Sequence, residues 1–165
     1  EQNAQISTDS LTGLNNRYGF SRYWKSNAQH NAAALLCVMM IDIDNFKQVN
    51  DRFGHLEGDR ALTDVAYVVR RCCEKTLPRA FVCRYGGDEF LIIGREHNRA
   101  TMEMLGAQIQ QRLERANQTK QYPYRLSVSV GIADGVCREP EDMERLFRKA
   151  DEVMYRTKTE KRGKP

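Results

Sequence analysis

No apolar run in this 165-residue chain is long enough to cross a bilayer. The longest, residues 32–41, falls short of the ~20 residues that a spanning helix takes, and it ends in acids. The sequence shown carries no signal-peptide pattern either. It also lacks the spacings of a metal or disulfide framework. The five cysteines, Cys37, Cys72, Cys73, Cys83 and Cys137, are odd in number and include no Cys-x-x-Cys pair. Most sit inside apolar runs, so buried thiols in a reducing cytosol are expected. His30, His55 and His97 show no ligand spacing, and none is expected to bind a metal. A long basic stripe with interleaved aromatics is missing too, which argues against a duplex nucleic acid as partner. The net charge of +4 is mild and points only weakly to a polyanionic ligand.

What is present reads as one globular domain. Hydrophobic residues make up 41% and charged residues 29% of the chain, ordinary values for a protein long enough to bury a core. The polar, helix-compatible opening over residues 1–8 is expected to be the tail of an upstream linker helix. The domain proper is then expected over 9–162, as a piece of a longer protein.

The most informative stretch is Arg84-Tyr85-Gly86-Gly87-Asp88-Glu89-Phe90. Two glycines between the apolar runs Phe81-Val82-Cys83 and Phe90-Leu91-Ile92-Ile93 predict a β-hairpin closed by a two-residue primed turn at positive φ. Asp88 and Glu89 then stand side by side at its tip, where like charges repel unless a cation lies between them. A solvated tip is the plain reading of that motif alone; a metal site needs a carboxylate from elsewhere. Residues 33–43 supply one. Their continuous apolar run predicts a strand buried on both faces and ending in Asp42-Ile43-Asp44. Ligands of open sheets gather at strand ends. Asp42 alone could be a helix N-cap, but Asp44 or Asn45 suits that task better. Asp42, Asp88 and Glu89 converging from two strand ends are a donor set for one or two magnesium ions.

The remaining chain supplies the scaffold. Asp9-Ser10-Leu11-Thr12-Gly13-Leu14-Asn15-Asn16-Arg17 predicts a turn and then a helix to about Ala28, with Asn15 or Asn16 as N-cap and Phe20, Tyr23 and Trp24 on one side. Leu62, Val65, Val69 and Cys72 recur at helical spacing, as do Met102, Leu105, Ile109 and Leu113; both stripes predict core-facing helices. Residues 126–133 alternate and predict a strand with one buried face. A last helix over about 142–158 carries Met143, Leu146, Phe147, Ala150 and Met154. After the first helix the order reads β-α-α-β-β-α-β-α. That predicts a mostly antiparallel sheet of four or five strands, with the first strand and the hairpin central.

Gly86-Gly87-Asp88-Glu89-Phe90 resembles the signature of the GGDEF domains, the diguanylate cyclase family. The resemblance extends over about 9–162. Residues 9–17 match the family's opening motif. Phe46-Lys47, Asn50-Asp51, Gly54-His55 and Gly58-Asp59 match every fixed position of its second motif. Ser129-Val130-Gly131-Ile132-Ala133 resembles its Ser-x-Gly-Ile-Ala strand. Ala150-Asp151 and Tyr155-x-x-Lys158 match its closing helix, although the family's final Gly-Arg-Asn turn reads Lys161-Arg162-Gly163 here.

The resemblance implies a palm-like α+β fold with a central antiparallel sheet flanked by helices. It implies the condensation of two GTP into cyclic di-GMP and two pyrophosphates, with magnesium or manganese as cofactor. The metal ligands would be Asp42, Asp88, Glu89 and the Ile43 carbonyl. Substrate would meet Phe46, Lys47, Asn50, His55, Asp59, Lys158 and Arg162. Asn50 and Asp59 would read guanine, where an amide can donate and accept and a carboxylate can accept from N1–H and the amino group. Read without the family, both residues are helix caps. Lys47 would stabilise the transition state, in a loop entering a helix that is itself a phosphate cradle. Asp88 is the family's usual proton acceptor, a role open also to hydroxide held by the metal. Lys158 and Arg162 would hold the triphosphate; without the family they read as a solvated helix end favoured by the dipole. A homodimer is implied because each domain presents one GTP. The parent protein is expected to carry an N-terminal sensory or membrane module, with this domain in the cytoplasm and an anchor in the inner membrane conceivable. The family's inhibitory Arg-x-x-Asp is replaced by Leu77-Pro78-Arg79-Ala80, so no product inhibition is expected there.

Overall fold

An uninterrupted apolar strand has to be covered on both faces, and β1 (Ala34–Ile43) is. In the computed structural model, which describes residues 6–28, 33–95 and 99–163, β1 lies inside a four-stranded antiparallel sheet. Its neighbours are β3 (Glu89–Arg95) and β4 (Val128–Cys137), and β2 (Phe81–Arg84) pairs with the far side of β3. The helices are α1 (Arg17–Ala28), α2 (Phe46–Phe53), α3 (His55–Thr76), α4 (Arg99–Lys120) and α5 (Pro140–Arg162). This is the expected α+β architecture, with four strands; β1 and β3 are central, but β2, the other arm of the hairpin, lies at the sheet edge instead of the centre.

Side chains alternate across the sheet, and the two faces build two cores. Cys37, Met39, Ile41 and Ile43 of β1 pack with Leu62, Val65 and Val69 of α3 and Met102, Leu105 and Ile109 of α4. Leu36, Val38 and Met40 pack with Leu91 and Ile93 of β3 and with Met143, Leu146, Ala150 and Met154 of α5. Phe20, Tyr23 and Trp24 of α1 cover the edge of this second core. On that face β1 changes from apolar to charged after Met40, continuing as Asp42 and Asp44. The α5 stripe changes at the matching level, after Met154, and continues as Lys158 and Lys161. Strand and helix therefore meet first through oil and then through charge.

Two glycines are required by this packing. A Cβ on Gly131 would stand 2.0 Å from the Ala150 carbonyl oxygen and 2.4 Å from the Met154 nitrogen, so β4 and α5 touch backbone to backbone. Gly54 takes φ 91°, which lets α2 stop and α3 start without a linker.

The hairpin departs from expectation. Arg84 pairs with Phe90, and the Tyr85 N–H donates to the Glu89 carbonyl at 2.8 Å, leaving Gly86, Gly87 and Asp88 as the loop. Among the described glycines only Gly13 and Gly54 have positive φ, so no primed turn forms. The Arg84 guanidinium holds the loop open from inside, donating to the Gly87 carbonyl at 3.1 and 2.7 Å. β4 also differs. It starts at Val128 and runs on to Cys137, paired along the whole of β1, and α4 and α5 cover one face each rather than one face alone.

Asn16 is the cap of α1, its Oδ1 accepting the Gly19 N–H at 2.9 Å, while the Asn15 amide donates to the Val82 carbonyl. Of the expected linker-helix tail, residues 1–5 lie outside the described residues. Residues 6–8 are not helical; the Asn16 amide donates to the carbonyls of Ile6 and Thr8. All five cysteines are free and buried, and burial pushes the thiols of Cys73 and Cys83 up to about 12. No helix among the described residues is long and apolar enough to cross a membrane.

Gly131→Ala is expected to force α5 off the sheet and to destabilise the fold by roughly 1–3 kcal/mol, the usual range for overpacking. A thermal melt of the variant beside the parent chain checks this; an unchanged midpoint would mean that α5 does not lie this close to β4.

Candidate active site

The antiparallel register sets Asp42 of β1 directly opposite Glu89 of β3, and the Ile43 N–H donates to the Asp88 carbonyl at 3.1 Å. Side-chain oxygens of Asp42, Asp88 and Glu89 all lie within 4.8 Å of one another. The three carboxylates singled out in the sequence are thus brought together. Asp42 is buried, and its Oδ1 has no hydrogen-bond partner. Its Oδ2 accepts the Lys158 ammonium at 2.6 Å, and the same Nζ lies 3.4 Å from the Ile43 carbonyl oxygen. Burial first, and then the adjacent Asp88 carboxyl, push Asp42 up to about 7, with Lys158 pulling the other way. Burial also raises Glu89, helped by the negative charges of Asp151 and Asp88.

Among the described residues Lys158 is the cation bonded to the cluster, and although the charge of Arg17 also reaches Glu89, three carboxylates remain short of positive charge. A set of hard oxygen donors with one buried oxygen unpaired fits a divalent cation such as magnesium. Lys158 is not a solvated helix end: its side chain is 13% exposed.

Asp44, just past the end of β1, is a separate unit. Its two oxygens accept from the hydroxyls of Ser127 at 2.7 Å and Ser129 at 2.6 Å, and Lys161 adds a third bond at 2.9 Å. Burial alone would raise this carboxyl, but the bonds from Ser129, Ser127 and Lys161 outweigh it and hold it below the ordinary range. The strand then turns through Asn45 in the left-handed region, φ 56°, and α2 begins with no side chain capping its first turn. A cleft of about 300 Å³ opens here, lined by Asp44, Asn45, Ser127, Lys158, Lys161 and Arg162. Lys158 and the exposed Arg162, both assigned to a triphosphate by resemblance, share it.

The residues assigned to the base lie on α2 and α3. Neither Asn50 nor Asp59 caps a helix; Asn45 and Gly54 hold those positions. The Asn50 amide lies over Gly58, where a Cβ would stand 1.8 Å from its Oδ1. Gly58 is therefore the residue that admits Asn50, a role hidden in the sequence because only contact between two helices reveals it. Asp59 and His55 are exposed in the first turns of α3, and Lys47 is exposed in the first turn of α2. The Phe46 ring packs on the core, leaving its backbone N–H as what it offers a ligand. His30 and His97 lie outside the described residues.

A second link escaped the sequence reading. Besides holding the Gly87 carbonyl, Arg84 donates to both carboxylate oxygens of Asp9 at 3.1 and 3.2 Å. Asp9 in turn accepts from the N–H and hydroxyl of Thr12 at 2.9 and 2.7 Å. The opening turn and the signature loop are tied through one guanidinium.

The raised Asp42 has a signed consequence. Its folded carboxyl, at about 7, holds a proton that the unfolded chain releases near the ordinary value of 3.8. The folded state binds more protons across that window, so this contribution to stability is lost as pH rises through it. Asp42→Asn removes the titration. Without divalent ions, the melting temperature of the variant minus that of the parent chain is expected to increase from pH 4 to pH 8; a flat difference would place the Asp42 carboxyl at its ordinary value.

Comparison with known proteins agrees with this geometry. Residues 6–164 match the family described as "Diguanylate cyclase, GGDEF domain". The chain is 35% identical over 94% of its length to the cyclic di-GMP phosphodiesterase PdeR of Escherichia coli. It is 34% identical over 96% of its length to the diguanylate cyclase DgcP of Pseudomonas aeruginosa. It spans only 23% of either relative. The crystal structure of the GGDEF domain of DgcB from Caulobacter crescentus, in complex with c-di-GMP, superposes with a TM-score of 0.77 at 28% identity, covering 96% of this chain and 94% of that one. With the family match over nearly the whole chain and the same fold in DgcB, the chain belongs to the GGDEF family of diguanylate cyclase domains.

Proposed function

We propose that this domain is a diguanylate cyclase, joining two GTP into cyclic di-GMP with release of two pyrophosphates. The observation that carries the reading is the intact carboxylate cluster of Asp42, Asp88 and Glu89 beside a cationic cleft. In each half-reaction a ribose 3′-hydroxyl of one GTP attacks the α-phosphorus of the other in line. The new O–P bond forms as the bond to pyrophosphate breaks, and the hydroxyl proton passes to the Asp88 carboxylate. Lys158 and Arg162 hold the triphosphate in the cleft, with the uncapped first turn of α2 beside it. Lys47 adds positive charge as the phosphoryl oxygens become more negative. Asn50 and Asp59 take the guanine edge. Asp42, Asp88, Glu89 and the Ile43 carbonyl would hold magnesium or manganese, which would supply a lowered pKa at the attacking hydroxyl and neutralisation of phosphoryl charge.

One domain offers one such site, so catalysis takes two copies facing each other about a two-fold axis. A sensory or membrane module preceding this domain would bring the copies together. With Leu77 buried in the core, at the place of the family's inhibitory arginine, cyclic di-GMP does not inhibit through that site.

A second reading is a regulatory module that binds GTP or cyclic di-GMP without turning it over, and similarity to a relative named as a phosphodiesterase keeps it in view. The complete carboxylate cluster favours the enzyme.

Incubation of the chain with GTP and magnesium over a range of protein concentrations, with nucleotides separated by chromatography, tests the reading. Cyclic di-GMP is expected to rise more steeply than linearly with protein. Asp88→Asn is expected to slow the reaction by on the order of 10²–10⁴-fold, the usual weight of a general base. Bound but unreacted GTP at every concentration, even in a chain fused to a dimerising helix, would favour the regulatory module. In an ATP competition assay, Asp59→Ser is expected to cost roughly 10–100-fold in preference for GTP, the worth of a charged hydrogen bond. Unchanged preference would remove Asp59 from base recognition.

A further inference from the structure

Two lysines one turn apart on α5 reach the end of β1, and their acceptors differ in kind. Lys158 bonds Asp42 and the Ile43 carbonyl, atoms in the proposed ligand set of a divalent cation. In the proposed function the Lys158 ammonium turns to the triphosphate in the cleft, so its hold on Asp42 is given up once the nucleotide and its cation are bound. Lys161 bonds Asp44 at 2.9 Å and the Val128 carbonyl at 2.7 Å. Neither acceptor belongs to the carboxylate cluster. Asp44 is already held on both oxygens by Ser127 and Ser129, and Val128 is a strand residue fixed by its pairing with Ile43. Lys161 therefore ties the last turn of α5 to two points of the sheet that binding of a cation leaves in place. It also lines the same cleft as Lys158 and Arg162, which flank it on the helix.

We propose that Lys161 is a positioning residue for the nucleotide: its bridge to Asp44 and Val128 keeps the end of α5 seated after Lys158 has left Asp42, so that Lys158 and Arg162 stay directed into the cleft. The inference rests on the cyclase reading of the site. The geometry carries it because α5 has two anchors at this end when no ligand is bound and one when the site is filled. Removing Lys161 then matters little in the first state and much in the second. A merely structural tie would matter equally in both.

The test compares the parent chain with Lys161→Met and Lys161→Arg. It uses amide hydrogen exchange over residues 155–163 and titration with a non-reacting GTP analogue, each with and without magnesium. Without ligands, Lys161→Met is expected to exchange like the parent chain, since Lys158 still holds Asp42. With magnesium and the analogue, its last turn is expected to exchange faster, and the analogue to bind roughly tenfold more weakly, the worth of one charged hydrogen bond. Lys161→Arg is expected to restore both. Unchanged exchange and affinity would overturn the proposal, as would faster exchange of equal size in both states. A parent chain that binds no analogue at any magnesium concentration would instead overturn the cyclase reading beneath it.

Discussion

The pairing of β1 with β3 is the constraint on which the rest of the site depends. It puts Asp42 opposite Glu89 and lets the Ile43 N–H take hold of the hairpin at Asp88. A slip of one residue would send every β1 side chain to the other face. Asp42 would then turn toward α3 and α4, away from Glu89. The apolar residues of β1 prevent the slip. Val38, Met39 and Ile41 have no exposed surface, and each face has its own core to lose. The oily part of the strand thus fixes where its charged end lies.

That charged end is electrostatically unfinished. Asp42 is buried with one oxygen unpaired, and three carboxylates share a space in which Lys158 is the bonded cation. Buried like charges are costly unless protonated or neutralised, and the raised Asp42 and Glu89 carboxyls express that cost. Asp44, two residues on, shows the opposite solution: two hydroxyls and an ammonium satisfy it, and its carboxyl stays low. Two aspartates at the end of β1, one in the strand and one just past it, therefore differ in task because their neighbours differ. The satisfied one builds the wall of the cleft; the unsatisfied one is left to a ligand.

The surrounding elements hold this end of the sheet from three sides. α5 lies on Gly131 without intervening side chains and delivers Lys158 and Lys161 at the level of the aspartates. α2 and α3 meet at Gly54 and nest Asn50 over Gly58. Arg84 spans from Asp9 to the Gly87 carbonyl and fixes the signature loop against the opening turn of the domain. Anything joined ahead of Asp9 is thus only two ion-pair or hydrogen-bond steps from Asp88.

Much of this was legible in the sequence. The continuous run of β1, the helical stripes of α3, α4 and α5, and the motif carrying Asp88 and Glu89 dictated element types, the sheet's centre and the metal-type carboxylates. Those features are local or periodic, and burial enforces them wherever the chain folds. The sequence missed the shape of the hairpin loop, because Arg84, and not glycine's freedom at positive φ, sets it. It missed the length of β4 and its second covered face, since strand partners lie far apart in the chain. It offered Asp44 only as a possible helix cap, left Gly58 and Lys161 without roles and, apart from the family resemblance, read the basic end of α5 as solvated. Each of those roles is a contact across at least one element boundary, with no periodic signature to announce it. Residue pattern determined the layers and the chemistry on offer; tertiary packing decided which charges would be satisfied and which left open, because desolvation and pairing depend on neighbours that only the folded chain assembles.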